Sequence, residues 1–285
     1  MAYHTTPYLL LFLPAALLFY QITPAKWRSY TLLIFSYLFF WSFSEKLIIY
    51  LIGTTFLTHH ICIWMDTMDK RDKRKKRVFQ LGILLLLGTI LCLKYRNFFF
   101  GNVSKLAMVL HIDWSYQDQL IFLPIGISFY TFQALSYVID VYRGEVPAQH
   151  NFWHMLLYIS FFPQLIAGPI IKYRDIAAQI TGRKETIRKF AAGIMRFCWG
   201  LGKKVLLANS FARVVDEIFK YGPYAVSRKA LWLGAILYMM QIYYDFSGYS
   251  DMAIGLGKMF GFEFQENFNY PYTAGSVQEF WHRWH

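Results

Sequence analysis

Charged side chains are scarce in this sequence. They make up 16% of its 285 residues, whereas a soluble globular domain carries about 25%. Hydrophobic residues make up 56% and aromatic residues 20%, and aromatic side chains concentrate at the two interfaces of a membrane. The composition therefore argues against an ordinary soluble domain and predicts an integral membrane protein.

Cysteine is scarce as well. Cys62, Cys92 and Cys198 lie in apolar surroundings and form no C-x-x-C pair, so neither a disulfide framework nor a zinc site is expected. We expect the three cysteines to be buried hydrophobic residues. We also expect the protein to hold no metal or cofactor. Internal repeats, low-complexity segments and linkers are also lacking, which predicts a single domain over residues 1–285. The N-terminus has no basic region and no A-x-A site, which favours a retained first span over a signal peptide.

Long apolar runs recur along the chain. A membrane-spanning helix needs about 20 mostly apolar residues, and runs near that length predict an all-α, polytopic membrane protein with segments at Tyr8–Ile22, Tyr30–Phe43, Leu47–Met65, Val78–Leu93, Leu120–Val141, Phe152–Ile171 and Ala230–Tyr244. Phe190–Phe219 carries Lys203 and Lys204 in its middle. Because such charges are unfavourable in lipid, we expect this segment to be an interfacial helix.

Basic residues exceed acidic residues, which gives a formal net charge of +12. In a soluble chain this excess would suggest a nucleic-acid ligand. Here the basic residues lie between apolar runs, so we assign them to membrane topology and expect no nucleic acid. The segment Asp66–Arg77 is the most basic and is expected on the cytoplasmic side, where it can also contact anionic lipid.

The segment Phe152–Ile171 has basic flanks on both sides, which one plain crossing does not explain. It also contains Pro163, Gly168 and Pro169, which interrupt helices. A re-entrant segment explains both features, since broken backbone at membrane depth must be buried in protein or line a cavity. The alternative is a proline-kinked ordinary span.

Two carboxylates follow the last apolar run. Asp245 and Asp251 lie in the stretch DFSGYSD, and carboxylates near membrane depth are functional candidates. The alternative is that Ser250 or Asp251 caps a new helix. A metal site is not expected, because no histidine or third carboxylate lies nearby. The later stretch GLGKMFGF lacks the spacing of a phosphate loop.

The end of the sequence, SVQEFWHRWH, has the pattern of a helix start. Ser276 and Glu279 form a capping box, and Glu279, His282 and Arg283 then share one turn. His285 follows three residues after His282. A neutral imidazole can act as a general base near pH 7, and the alternative is a hydrogen-bonded histidine in an aromatic cluster.

Four long stretches together resemble the membrane-bound O-acyltransferase family, in particular its bacterial branch that acetylates exported polysaccharides such as alginate. They are LPIGISFYTFQALSYVIDVYRGEVPAQHNF, LYISFFPQLIAGPIIKYRDI, GLGKKVLLANSFA and QIYYDFSGYSDMAIGLGKMFGFEFQENFNYPYTAGSVQEFWHRWH. The resemblance implies a multi-helix funnel through the bacterial inner membrane, with re-entrant segments. His285 matches the family's RWH histidine and is the candidate catalytic base. Asp245, Asp251, Asn267 and Glu279 are the candidates for the lining of the substrate tunnel.

The resemblance also implies a reaction. An acetyl group from cytoplasmic acetyl-CoA would pass across the membrane to an exported polysaccharide, with a periplasmic acetyltransferase as partner. Alternatives are D-alanyl transfer to an envelope polymer, a transporter and a non-catalytic scaffold. Family members continue to a second histidine in a Trp-His-Gly motif, which this sequence lacks. We therefore expect the N-terminal portion of an acyltransferase, and whether it is active alone stays open.

Overall fold

The computed structural model describes residues 2–69, 72–117, 123–124, 126–165, 168–169, 171–221 and 225–285. The secondary structure of these residues is helical, without β-strands, which confirms the all-α part of the predicted fold class; they contain twelve α-helices. The helices are α1 Leu13–Ile22, α2 Arg28–Ser44, α3 Ile48–Asp66, α4 Lys73–Lys94, α5 Arg96–Val109, α6 Ile127–Arg143, α7 Phe152–Ser160, α8 Tyr173–Gly182, α9 Ile187–Gly202, α10 Asn209–Lys220, α11 Arg228–Met259 and α12 Val277–Arg283.

Two stretches of the described chain are long and apolar enough to cross a membrane. They are Ala25–Asp66, which contains α2 and α3, and Lys73–Lys94, which is α4. A shorter apolar stretch covers Tyr8–Ile22. Part of the predicted span Leu120–Val141 lies outside the described residues, and its helix begins at Ile127. The full set of spans stays a prediction.

The chain forms two compact units. One unit contains Met1–Leu32, Phe162–Ile171 and Asp175–His285, and the other contains Leu33–Phe161 and Lys172–Arg174. The second unit is built mainly from α3, α4 and α6, which pack against one another. All predicted site residues belong to the first unit. The single-domain interpretation stays a prediction.

The predicted break in Phe152–Ile171 is confirmed. Helix α7 ends at Ser160 after nine residues, which corresponds to about 13 Å of helix, whereas the hydrocarbon core of a bilayer is about 30 Å thick. Residues 161–165 are not helical. A single continuous helix through this segment is therefore wrong. The re-entrant path stays a prediction, since residues 166, 167 and 170 lie outside the described residues.

Helices α9 and α11 make the most extensive helix contact in the first unit. Glycines seven residues apart on each helix allow this approach. A Cβ on Gly200 would lie 2.4 Å from the carbonyl oxygen of Gly248, and a Cβ on Gly255 would lie 2.7 Å from the carbonyl oxygen of Gly193. Since real Cβ atoms essentially never come this close, only glycine permits this spacing of the two backbones.

The structure corrects two expectations. Helix α11 runs from Arg228 to Met259 without interruption, so Ser250 and Asp251 lie inside a helix and the alternative that either begins one is wrong. Phe190–Phe219 is helical as predicted, but α9 and α10 are joined there by a π-helical turn over Lys203–Ala208. The interfacial position of this segment stays a prediction.

Candidate active site

A short antiparallel pairing fixes the backbone around His285. Phe268 and Trp284 form an isolated bridge. The N–H of His285 donates to the carbonyl oxygen of Asn267 at 2.8 Å, and the N–H of Asn269 donates to the carbonyl oxygen of Arg283 at 2.9 Å. Two segments that are separated in the sequence, ENFNYPY at 266–272 and RWH at 283–285, are therefore joined by backbone hydrogen bonds.

The same pairing brings the imidazole of His285 to the side chain of Asn267. The Nδ1 atom of His285 lies 2.7 Å from the Oδ1 atom of Asn267. An amide oxygen can only accept a hydrogen bond, so Nδ1 donates and carries the proton. In this neutral tautomer the lone pair is on Nε2, which is the atom that can take a proton from a substrate.

Aromatic rings surround this pair. The centroid of the His285 ring lies 4.7 Å from that of Phe246 on α11 and 6.3 Å from that of Phe268. Trp284 packs edge-on against Phe268 at 5.1 Å. Although His285 as a whole is exposed, partial burial of its imidazole lowers its pKa from the ordinary value of 6.5, because desolvation disfavours the charged form. A neutral base near pH 7 is therefore favoured.

Asp251 is the most enclosed of the predicted carboxylates, with 8% of its side chain exposed. It accepts from the Nε and Nη2 atoms of Arg196 at 2.8 and 2.7 Å and from the Nζ atom of Lys203 at 2.6 Å. Arg196 also pairs with Glu266. Asp251 thus balances one cation of α9, Arg196, and one of the π-helical turn after it, Lys203. Arg196 also connects Asp251 to the residue that precedes Asn267.

Asp245 occupies a different environment on the same helix. It lies 2.5 Å from the Nζ atom of Lys204, and about half of its side chain is exposed. The importance of Lys203, Lys204 and Arg196 was not predicted from the sequence, where the two lysines were considered only as charges unfavourable in lipid. Their partners lie 41 to 70 positions further along the chain, and short-range sequence patterns do not indicate pairings at that separation.

The side chain of Glu279 makes its hydrogen bonds within α12 and the cap of that helix. The Oγ atom of Ser276 accepts from the N–H of Glu279 at 3.1 Å, which confirms the predicted N-cap. The carboxylate of Glu279 accepts from the N–H of Gly275 at 2.8 Å, instead of that of Ser276, and from Arg283 at 2.6 Å. These contacts, first the bond from Gly275, lower the pKa of Glu279. The carboxylate therefore stabilises the start of α12.

Of the five predicted site residues, Asn267 and His285 are in direct contact. Asp245 and Asp251 contact cations of α9 and of the π-helical turn that follows it, and Glu279 contacts α12 and its cap. Within the described residues there is no group of three or more histidine, cysteine, aspartate or glutamate side chains placed to hold a metal ion. The arrangement supports base chemistry at His285 with Asn267 as its hydrogen-bond partner.

Comparison with known proteins agrees with these features. The profile of the membrane-bound O-acyltransferase family matches residues 145–285. Over its whole length the chain is 39% identical to the probable alginate O-acetylase AlgI of Pseudomonas aeruginosa, of which it covers 54%. It is also 39% identical to the protein of the same name from Azotobacter vinelandii, of which it covers 56%. A peptidoglycan O-acetyltransferase of Helicobacter pylori is 29% identical over 99% of the chain, which covers 58% of that protein.

The matches also show how much of each relative this chain covers. The chain spans about half the length of the curated relatives it matches. The matched profile includes α9, α11 and the paired segments around His285. Residues 145–285 of the chain belong to the membrane-bound O-acyltransferase family.

Proposed function

We propose that this chain contributes the His285 region of a multi-pass inner-membrane O-acetyltransferase that modifies an exported polysaccharide. The observation that carries the proposal is the 2.7 Å contact between Nδ1 of His285 and Oδ1 of Asn267, which orients a neutral imidazole. The names of the matched relatives, alginate O-acetylase and peptidoglycan O-acetyltransferase, support acetyl transfer to a polymer. Acetyl-CoA from the cytoplasm is the proposed donor.

In the proposed reaction Nε2 of His285 accepts the proton of the acceptor hydroxyl. The hydroxyl oxygen attacks the carbonyl carbon of the acetyl thioester, so that a C–O bond forms and the C–S bond breaks. The proton then passes from Nε2 to the departing sulfur. Asn267 keeps the imidazole in the required tautomer throughout, because its Oδ1 accepts from Nδ1. The same steps apply whether the acceptor belongs to the polymer or to a periplasmic transferase that passes the group on.

The test uses the intact protein in liposomes with labelled acetyl-CoA inside and acceptor polymer outside. His285→Ala should reduce label transfer by about a hundredfold or more, since general-base catalysis contributes about 10² to 10⁴ in rate. His282→Ala is the matched control, because it removes an exposed histidine from α12, three residues before His285, and should leave transfer unchanged. Equal transfer by both variants would refute a catalytic role for His285.

The same assay separates the alternatives. A transporter would move substrate across the membrane while the label stays on CoA. A scaffold for a periplasmic transferase would support polymer acetylation in the His285→Ala variant at its usual rate. A D-alanyl transferase would transfer label from an activated D-alanine donor and not from acetyl-CoA.

A further inference from the structure

An apolar groove lies at the junction of α4 and α5, in the second unit of the chain. It has a volume of about 530 Å³ and is lined by Leu91 and Cys92 of α4 and by Arg96, Phe99 and Phe100 of α5. Arg96 carries a positive charge, and the other four lining side chains are apolar. The α4–α5 groove therefore offers one cationic group beside an apolar surface.

The positive charge of Arg96 is not balanced by a carboxylate in the described part of the chain, where no carboxylate oxygen lies within 4.0 Å of its guanidinium group. The same holds for Lys94, two residues earlier. The Nζ atom of Lys94 lies 3.4 Å from the neutral Oγ atom of Ser128 and 5.6 Å from the ring centroid of Tyr95. Since neither contact cancels its charge, the junction of α4 and α5 favours an anionic group.

The wall of the groove formed by Phe100 is held by the segment that follows α5. The ring of Phe100 stacks on that of Tyr116, with the two centroids 5.3 Å apart. The hydroxyl of Tyr116 donates to Oδ1 of Asn97 at 2.9 Å, and its N–H donates to Oγ of Ser104 at 3.1 Å. Because Tyr116 is bonded to α5 at two points, Phe100 is in position before any ligand binds.

The groove lies at the end of a helix that is suited to cross a bilayer. Helix α4 has 22 residues and is apolar enough to span a membrane, and its length of about 33 Å matches a hydrocarbon core of about 30 Å. Lys94, Tyr95 and Arg96 follow one another at its end, and such residues lie at the level of the lipid headgroups. Leu91 and Cys92 belong to the last turn of α4, nearer the hydrocarbon core. The cation is therefore at headgroup depth, and the apolar lining from α4 is at the depth of the acyl chains.

Helix α5 presents apolar side chains over most of its surface. Of its fourteen residues, all of them described, only Ala107 is buried. Its exposed large apolar side chains are Phe98, Phe99, Phe100, Val103, Leu106, Met108 and Val109. At about 21 Å the helix is too short to cross a bilayer, so it is suited to lie along the membrane interface. A lipid, rather than a water-soluble ligand, is thus the molecule to which the groove is open.

We propose that the α4–α5 groove binds an anionic phospholipid, with its phosphate group at Arg96 and one acyl chain along Leu91, Cys92 and Phe99. A guanidinium group suits this role because it donates two parallel hydrogen bonds to phosphate oxygens. The second positive charge, at Lys94, favours a lipid with a net negative charge over a zwitterionic one. The inference does not depend on the proposed acetyl transfer.

The first test measures the binding of phosphatidylglycerol to the purified protein in mild detergent by native mass spectrometry. Arg96→Ala should weaken binding of the most tightly held phosphatidylglycerol about fivefold. Lys105→Ala is the matched control, because it removes an exposed positive charge of α5 that does not line the groove, and it should leave binding unchanged. Leu91→Trp fills the groove from an exposed position and should weaken binding without removing a charge. The unaltered protein should bind phosphatidylcholine more weakly than phosphatidylglycerol.

The second test uses the thiol of Cys92, which is exposed and lines the groove. A bound acyl chain should slow the alkylation of Cys92 by N-ethylmaleimide in the unaltered protein, and the same amount of phosphatidylglycerol should protect it less in Arg96→Ala. Cys198, an exposed residue of α9, is the internal reference and should react at the same rate throughout. Glycerol 3-phosphate, which has the phosphate without acyl chains, should protect neither thiol.

Three results would overturn the proposal. The first is equal affinity of Arg96→Ala and Lys105→Ala for phosphatidylglycerol, which would show that the phosphate does not bind at Arg96. The second is unchanged alkylation of Cys92 at saturating phosphatidylglycerol, which would show that no acyl chain lies in the groove. The third is protection of Cys92 by glycerol 3-phosphate, which would assign the groove to a soluble phosphate compound.

Discussion

Replacement of Gly200 by alanine is predicted to separate α9 from α11. The new Cβ would lie 2.4 Å from the carbonyl oxygen of Gly248 and 2.6 Å from the backbone nitrogen of Met252. Ordinary contacts begin at 3.4 Å, so the helices must move apart by about 1 Å at this point. Both obstructing atoms belong to the backbone and cannot rotate away as the end of a side chain could.

The size of the effect follows from two opposing contributions. Overpacking lowers the free energy of unfolding by about 1–3 kcal/mol. Because the backbone neighbours of Gly200 cannot move aside, we expect a loss of about 3 kcal/mol from overpacking in Gly200→Ala. Alanine in place of glycine within a helix contributes about 1 kcal/mol of stability. We therefore expect a net loss of about 2 kcal/mol in the free energy of unfolding of the first unit.

Gly202 offers a matched control two residues along the same helix. It has ordinary helical dihedral angles, φ −59° and ψ −46°, and a Cβ there would meet nothing within 4 Å. Gly202→Ala should therefore gain about 1 kcal/mol. The two variants should differ by about 3 kcal/mol.

The measurement is chemical unfolding in mild detergent, followed by circular dichroism, with the unaltered protein and both variants compared under identical conditions. A lower midpoint for Gly200→Ala and an equal or higher midpoint for Gly202→Ala are expected. If Gly200→Ala were as stable as Gly202→Ala, the close backbone approach at the α9–α11 crossing would be refuted.

Three further predictions concern the site. Asp251→Ala should destabilise the protein by about 2 kcal/mol. This is less than the roughly 3–5 kcal/mol lost when a fully buried pair is broken, because Arg196 is about one third exposed. The control Asp216→Ala removes an exposed carboxylate of α10 and should leave the unfolding midpoint unchanged. Asn267→Ala should lower the rate of acetyl transfer about tenfold, the equivalent of one hydrogen bond of about 1.4 kcal/mol, whereas Asn267→Asp keeps an acceptor and should retain more activity. Because burial lowers the pKa of His285 from 6.5, acetyl transfer should persist as the pH falls to 6.5 and decline only below it. In Asn267→Asp the added negative charge should raise the pKa of His285 and move this decline to higher pH. An unchanged pH profile in this variant would argue against the contact between the two residues.

Local features of the structure could be predicted from the sequence because their causes lie within a few residues. The helix over Phe190–Phe219, the break near Pro163 and the cap at Ser276 each follow from short-range patterns of apolar, proline and capping residues. The continuous course of α11 past Asp245 and Asp251 was not predictable in this way. The local pattern of the polar stretch DFSGYSD favours a helix boundary, but its carboxylates are balanced by Lys203 and Lys204 of the π-helical turn after α9.

The sequence by itself determined the helical fold class, the family and His285 as the candidate base. Only the tertiary structure decided which partner each polar residue has. Asp251 neutralises Arg196 and Lys203, and Asn267 holds His285. The physical reason is that burial makes an unpaired charge or polar group unfavourable, so the pairings depend on which helices pack together. That packing is set by glycines on α9 and α11 whose significance appears only when the two helices meet.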